Sequence, residues 1–188
     1  LLGGTVLAGD LTLEAAGLEE GSQLQIIFDM SGELRDACIE KLQNAENRGV
    51  RTEAARSLGH IGGDKAVTAL TEAFRKHQHS DDLRWRLTSC AAARAIGRLR
   101  PSPQLVEEAV TVLTEAFRKY QHSDDWARRH TSVAAAAAIG QLRPSPQLAE
   151  EAKAALQRAC EEETHPAVKA TACEAFERIK LVSLHACV

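Results

Sequence analysis

Leu70–Ala109 reads LTEAFRKHQHSDDLRWRLTSCAAARAIGRLRPSPQLVEEA, and Leu113–Ala152 reads LTEAFRKYQHSDDWARRHTSVAAAAAIGQLRPSPQLAEEA. The two stretches lie 43 residues apart and agree at 31 of 40 aligned positions. Agreement of that kind at a fixed offset marks duplication of one structural unit, so the architecture is a repeat array. Each unit carries two helical signals. In the later copy Ser102 stands at an N-cap with Pro103 at N1, where a missing N–H costs nothing. Ala109, Val112, Ala116 and Phe117 then recur at helical spacing as far as Tyr120. Ser123 or Asp124 is the expected cap of the second helix, which carries Trp126, Ala134, Ala138 and Ile139. Gly140 weakens its end, and Pro144 stops it by pushing Arg143 out of the α region.

Two degenerate copies flank this pair. Upstream, Val50–Gly62 (VRTEAARSLGHIG) aligns with Trp85–Gly97, and its partner helix is expected over Glu33–Glu46. Downstream, Gln147–Glu163 and Pro166–Ile179 form a last pair around a shorter turn at Thr164-His165-Pro166. A single hairpin cannot bury its apolar face, so the units must stack into one core. The expected fold is mostly α: an α-solenoid of about four helical hairpins, with units at 31–62, 63–100, 101–143 and 144–182 and a tail at 183–188. The alanine-rich second helices, Ala91–Ile96 and Ala134–Ile139, predict close helix approach.

The Val50–Gly62 pattern V-R-x-x-A-A-x-x-L-G-x-I-G resembles the second helix of a HEAT repeat, of the short type found in phycobilisome-lyase-like proteins. An acidic or amide residue stands three positions before each apolar-plus-basic pair: Asn47 before Val50-Arg51, Asp82 before Trp85-Arg86, Asp125 before Arg128-Arg129. The resemblance implies a ladder in which the basic residue reaches the acidic turn of a neighbouring repeat. Val168-Lys169 has no such partner at that spacing, so the ladder is expected to weaken towards the C-terminus. The resemblance covers about 150 of the 188 residues and is specific for fold, not for function.

Residues 1–30 read differently. Leu1–Leu7, the D-x-T-L turn at Asp10–Leu13, Ala16-Gly17-Leu18 and Gly21–Phe28 resemble, in order, the second half of a ubiquitin-like β-grasp fold. So short a stretch cannot close such a core alone. A first residue other than methionine, with Met30 the only methionine, makes the chain read as a processed product or a piece of something longer.

Composition narrows the function classes. A hydrophobic fraction of 44% with 26% charged residues is that of a globular chain, and the net charge of −3 argues against a general affinity for polyanions. No uninterrupted apolar run is long enough to span a bilayer. Five widely separated cysteines without C-x-x-C read as free thiols in a reducing intracellular compartment. No nucleophile-elbow, P-loop, dinucleotide or zincin motif occurs, and no His-Glu dipeptide supports a di-iron site. His77-Gln-His79 and Tyr120-Gln-His122 lie beside S-D-D turns that read as helix caps, not metal ligands. No catalytic residue, metal site or cofactor is expected.

The strongest charge feature is Leu83–Val106, which holds Arg84, Arg86, Arg94, Arg98 and Arg100 and no acid. Arg84, Leu87, Ala91, Arg94 and Arg98 share one helix face, whereas Arg86 belongs to the ladder. The resemblance places second helices on the concave side of such arrays. Arg84, Arg94 and Arg98 are therefore the expected partner-binding residues, suited to an acidic protein surface. Ala127, His130, Ala134, Ala137 and Gln141 stand at the matching positions of the next unit, so the charge does not continue as a nucleic-acid track would. The expected function is a non-catalytic protein–protein interaction scaffold or adaptor. The alternative is a structural accessory subunit of a large, organellar or photosynthetic complex. A phycobilin-lyase-like ligand binder ranks below both.

Overall fold

Eight helices fill the described residues: α1 (Glu20–Asn44), α2 (Arg48–Ile61), α3 (Asp64–His77), α4 (Leu83–Arg98), α5 (Pro103–Tyr120), α6 (Trp126–Ile139), α7 (Pro146–Glu162) and α8 (Pro166–His185). The structure is a computed structural model that describes the backbone over residues 20–185 and side chains over 32–181. The chain divides into two compact units, residues 1–36 and residues 37–188, with the boundary inside α1.

Local chemistry sets the starts of these helices. Asn47 caps α2, accepting the N–H of Gly49 at 2.7 Å. Asp82 caps α4 through Arg84 N at 2.8 Å, and Asp125 caps α6 through Arg128 N at 2.9 Å. The cap of α6 is thus one or two residues later than Ser123 or Asp124. Ser123 instead receives the N–H of Asp125 on its hydroxyl at 3.3 Å and tightens the turn. Proline opens α5, α7 and α8. Between α2 and α3 the chain turns through Gly62 and Gly63 at φ 77° and 88°, a region closed to most side chains.

Within residues 37–188, α3 packs on α4, α5 on α6 and α7 on α8, giving helical hairpins. The second helices α2, α4, α6 and α8 lie side by side in one layer, and α3, α5 and α7 form the other. Residues 43 apart occupy equivalent places between the layers. Phe74 and Phe117 are fully buried, as are Ile96 and Ile139, and the column Leu70, Leu113 and Leu156. Leucine and phenylalanine stacked this way give each unit its share of one continuous apolar core.

The second-helix layer is tighter than ordinary side chains allow. A Cβ at Gly59 would lie 2.9 Å from the Cβ of Ala95, one at Gly97 2.8 Å from the Cα of Ala138, and one at Gly140 2.7 Å from the Cα of Ala175. A glycine therefore meets an alanine at α2–α4, at α4–α6 and at α6–α8. Carboxylates tie successive units at the N-terminal ends of the first helices. Asp64 accepts the backbone N–H of Ser102 at 3.3 Å. At the equivalent position Glu107 accepts the Ser145 N–H at 2.9 Å and its hydroxyl at 3.0 Å.

One expectation is corrected. Gly21–Phe28, read as a closing β-strand, is part of α1. The alternation that suggested a strand breaks at Ile26-Ile27-Phe28, and no strand exists among the described residues to pair with it. An unpaired strand leaves its backbone groups unsatisfied, whereas a helix satisfies them locally. The remainder of the ubiquitin-like reading, residues 1–19, lies outside the described residues.

Gly97→Ala should destabilise the protein by about 1–3 kcal/mol, because helix backbone would have to move. Gly32→Ala, with nothing within 4 Å of its added Cβ, should leave stability unchanged or raise it by up to about 1 kcal/mol. Thermal melts of the two variants check the contrast. Ala136, completely buried in α6, should likewise tolerate leucine poorly, at about 1–3 kcal/mol.

Candidate functional site

Arg51, Arg86 and Arg129 stand at the same place in α2, α4 and α6, and each holds the turn that precedes its own helix. Arg51 donates to the carbonyls of Ala45 and Glu46 at 2.6 and 2.7 Å. Arg86 reaches the carbonyl of Asp81 at 3.3 Å, and Arg129 those of Ser123 and Asp124 at 3.1 and 2.7 Å. The ladder between repeats is present once in the form expected, where Arg86 meets Asp125 of the next turn at 2.8 Å. Asn47 and Asp82 cap helices instead. The side chain of Arg51, only 1% exposed, crosses to the next unit by another route. Its guanidinium lies 3.6 Å from the centroid of the Trp85 ring, and its Nε is 3.4 Å from the Thr88 hydroxyl. His77 also stacks on Trp85, with ring centroids 4.1 Å apart.

The turn histidines are engaged in contacts between units. His79 bonds the hydroxyl of Tyr120, and His122 Nδ1 lies 2.9 Å from a carboxylate oxygen of buried Glu163. Burial pushes the His77 imidazole down to about 4, with Lys76 and Arg51 adding to the shift. Among the described residues, no group of three or more histidine, cysteine, aspartate or glutamate side chains is placed to hold a metal ion. Cys38 and Cys90 are buried. Cys160 has its thiol pushed up to about 12, by burial first and then by neighbouring Cys173. Both circumstances suppress thiolate nucleophiles.

One surface stands out. A groove of about 350 Å³ lies on the outer face of the second-helix layer. Helix α2 contributes Arg48, Thr52 and Arg56, one residue per turn over about 12 Å. Helix α4 contributes Leu87, Ala91, Arg94 and Arg98, and His130 of α6 closes one end. No carboxylate among the described residues lines it. Arg56 pairs with Glu53, but Arg48, Arg94 and Arg98 make no hydrogen bond or ion pair among the described residues. Arg48 also occupies the first turn of α2, the end of a helix at which a cation is least favourable. Three uncompensated guanidinium groups beside one groove repel one another, and an anion seated there relieves that repulsion.

Arg94 and Arg98 therefore line the groove together. Arg84 does not. Its guanidinium is folded back on Asp82 at 2.8–3.2 Å, and that contact holds the half-buried Asp82 carboxyl below the usual carboxylate range. Arg48, Arg56 and His130 were not among the expected binding residues. The signal for them was present in the repeat alignment, which sets α2 beside α4 and so brings i, i+4, i+8 on one helix against i, i+4 on the next.

A larger cavity, about 460 Å³, lies at the turns between units, lined by Arg100, Pro101, Glu107, Arg143 and Pro144 among others. Its one acid, Glu107, is already committed to Ser145 through both oxygens. The smaller groove is the better candidate because three unpaired guanidinium groups, Arg48, Arg94 and Arg98, line it with no acid among the described lining residues, whereas the cavity has Arg100 and Arg143 beside Glu107. No helix among the described residues is long and apolar enough to cross a membrane.

Residues 50–76 match the family profile of the PBS lyase HEAT-like repeat. The match spans the Arg51 turn clamp, Gly59 and the α2–α3 connection, and with the all-helical fold it supports a HEAT-repeat family. No curated protein matches the chain.

Neutral His77 gives the protein a defined acid sensitivity. The unfolded chain takes up this proton near 6.5, the folded chain only near 4, so the unfolded state binds more protons between those values. The contribution of His77 to stability is whole above pH 6.5 and is lost as pH falls towards 4. His77→Gln should flatten the melting-temperature profile in that window. Arg51→Ala, by orphaning two carbonyls, should cost about 1–3 kcal/mol at every pH, and thermal melts across pH separate the two effects.

Proposed function

We propose that this chain is a non-catalytic interaction scaffold that docks an acidic protein segment in the groove between α2 and α4. The observation that carries the reading is the set Arg48, Arg94 and Arg98: exposed, without ion pairs among the described residues, and lining a groove that no described carboxylate enters. The charges are strung along two helices. A line of guanidinium groups suits a line of carboxylates better than a single compact anion. The helices are held by buried glycine–alanine contacts and turn clamps, so the surface is preformed and its ordering cost on binding is small.

Nucleic acid fits less well. The positions on α6 that correspond to Arg94 and Arg98 are Ala137 and Gln141, so the charge stops after one interhelical groove. A bilin-type ligand site is also less well supported, because the acid in the larger cavity is occupied by Ser145.

A fluorescein-labelled hexaglutamate peptide is expected to bind the wild-type protein at low salt and to lose affinity as ionic strength rises. Arg94→Glu combined with Arg98→Glu should weaken it by about tenfold or more, and the same reversal at Arg100 and Arg143 should not. Both exposed double variants should melt within about 0.5 kcal/mol of wild type. Equal binding by wild type and the Arg94/Arg98 variant in fluorescence anisotropy would refute the groove as the docking site.

A further inference from the structure

We infer that the docked segment is bipartite, with an apolar residue seated on Trp126 and Leu83 and its acidic residues running along the groove towards Arg94 and Arg98. The inference rests on the groove reading above and adds the feature that sets direction and specificity. Leu83 and Trp126 are equivalent residues 43 apart, at the first positions of α4 and α6, and they are 42% and 52% exposed. Large apolar side chains exposed at equivalent positions of adjacent, parallel helices make a patch, not a scattered pair. The patch adjoins the groove directly. Trp126 packs against His130, with ring centroids 4.2 Å apart, and His130 lines the groove end.

The register between α4 and α6 fixes the separation of the two parts. Cys90 lies beside Thr131 and Gly97 beside Ala138, so Trp126 sits level with residue 85 of α4. Arg94 is nine residues further on, about 14 Å along the helix direction. An extended segment covers that distance in about four residues. The apolar patch and the basic groove therefore lie within reach of one short peptide. Both halves are open to a partner: no acid among the described residues lines the groove, and Trp126 remains 52% exposed. Trp85, the chain's other tryptophan, is enclosed between Arg51 and His77, which makes Trp126 the natural optical reporter.

The probe is an eight-residue peptide of one leucine, a Gly-Ser-Gly spacer and four glutamates, compared with the same peptide carrying alanine for leucine. Wild-type protein should bind the leucine peptide about tenfold more tightly, with a blue shift of tryptophan emission. Raising the salt should weaken both peptides while preserving that ratio. Trp126→Ala should remove the ratio and leave the alanine peptide unchanged, and Leu83→Ala should reduce the ratio. Circular dichroism confirms that both exposed-site variants are folded. Equal binding of the two peptides by wild type, or a ratio that survives in Trp126→Ala, overturns the bipartite inference and leaves the groove reading intact. Failure of both peptides to bind, or binding of anionic vesicles or duplex DNA in their place, overturns the groove reading as well.

Discussion

The distance between neighbouring second helices governs the array. At each step of that layer a glycine on one helix meets the backbone or Cβ of an alanine on the next: Gly59 with Ala95, Gly97 with Ala138, Gly140 with Ala175. Dispersion falls off steeply with separation, so backbones brought this close at each glycine gain contact there. The approach also leaves no slack. Axial register is locked wherever a glycine sits, because sliding one helix along its neighbour would drive an alanine methyl into backbone. The groove inherits that rigidity. Its arginines stand on α2 and α4, and their spacing is set by the Gly59–Ala95 contact rather than by any interaction of their own.

The turns are held by a second device of equal economy. A buried or half-buried arginine takes the carbonyls of the turn before its own helix, which satisfies acceptors that would otherwise be orphaned at a helix junction. The same residues then reach outward, Arg51 to Trp85 and Thr88, and Arg86 to Asp125. Intra-unit turn geometry and inter-unit packing therefore depend on the same side chains. His79–Tyr120 and His122–Glu163 repeat the logic with one residue from each turn.

Much of this was legible in the sequence, and the reasons are specific. The identity at an offset of 43 residues showed that a helical unit is repeated, and Ser102-Pro103 with Gly140 marked helix ends because caps act locally. Ala134–Ile139 announced close packing because small side chains have one use there. What escaped was whatever depends on two units at once. The ladder reading named the right arginines and, for Arg86, the right acceptor in Asp125, but it missed the turn carbonyls that all three hold, since backbone carbonyls leave no trace in a sequence. Arg84 shared a helix face with Arg94 and Arg98, yet its own N-cap aspartate sits two residues away and captures it. Arg48 and Arg56 emerge as groove residues only when α2 is set beside α4, a step the repeat alignment permits but a single helix face does not. The strand assigned to Gly21–Phe28 failed for the opposite reason, a local alternation read without asking what would pair with it.

The last unit differs from its predecessors by a small deletion. The Ser-Asp-Asp that precedes α4 and α6 is missing before α8, Lys169 stands where an arginine clamp stood, and Cys160 replaces the phenylalanine of Phe74 and Phe117. Lys169 is exposed and holds no turn carbonyl by its side chain, so the final hairpin is fastened without an arginine clamp, by apolar contact, the His122–Glu163 pair and the bonds of Glu107 and Arg118 to α7 and its cap. Cohesion therefore grades along the chain, strongest where three units share clamps and weakest at α7–α8. A force applied to the C-terminus would peel that hairpin away first, as a fuse, while the arginine-lined face two helices upstream kept its geometry.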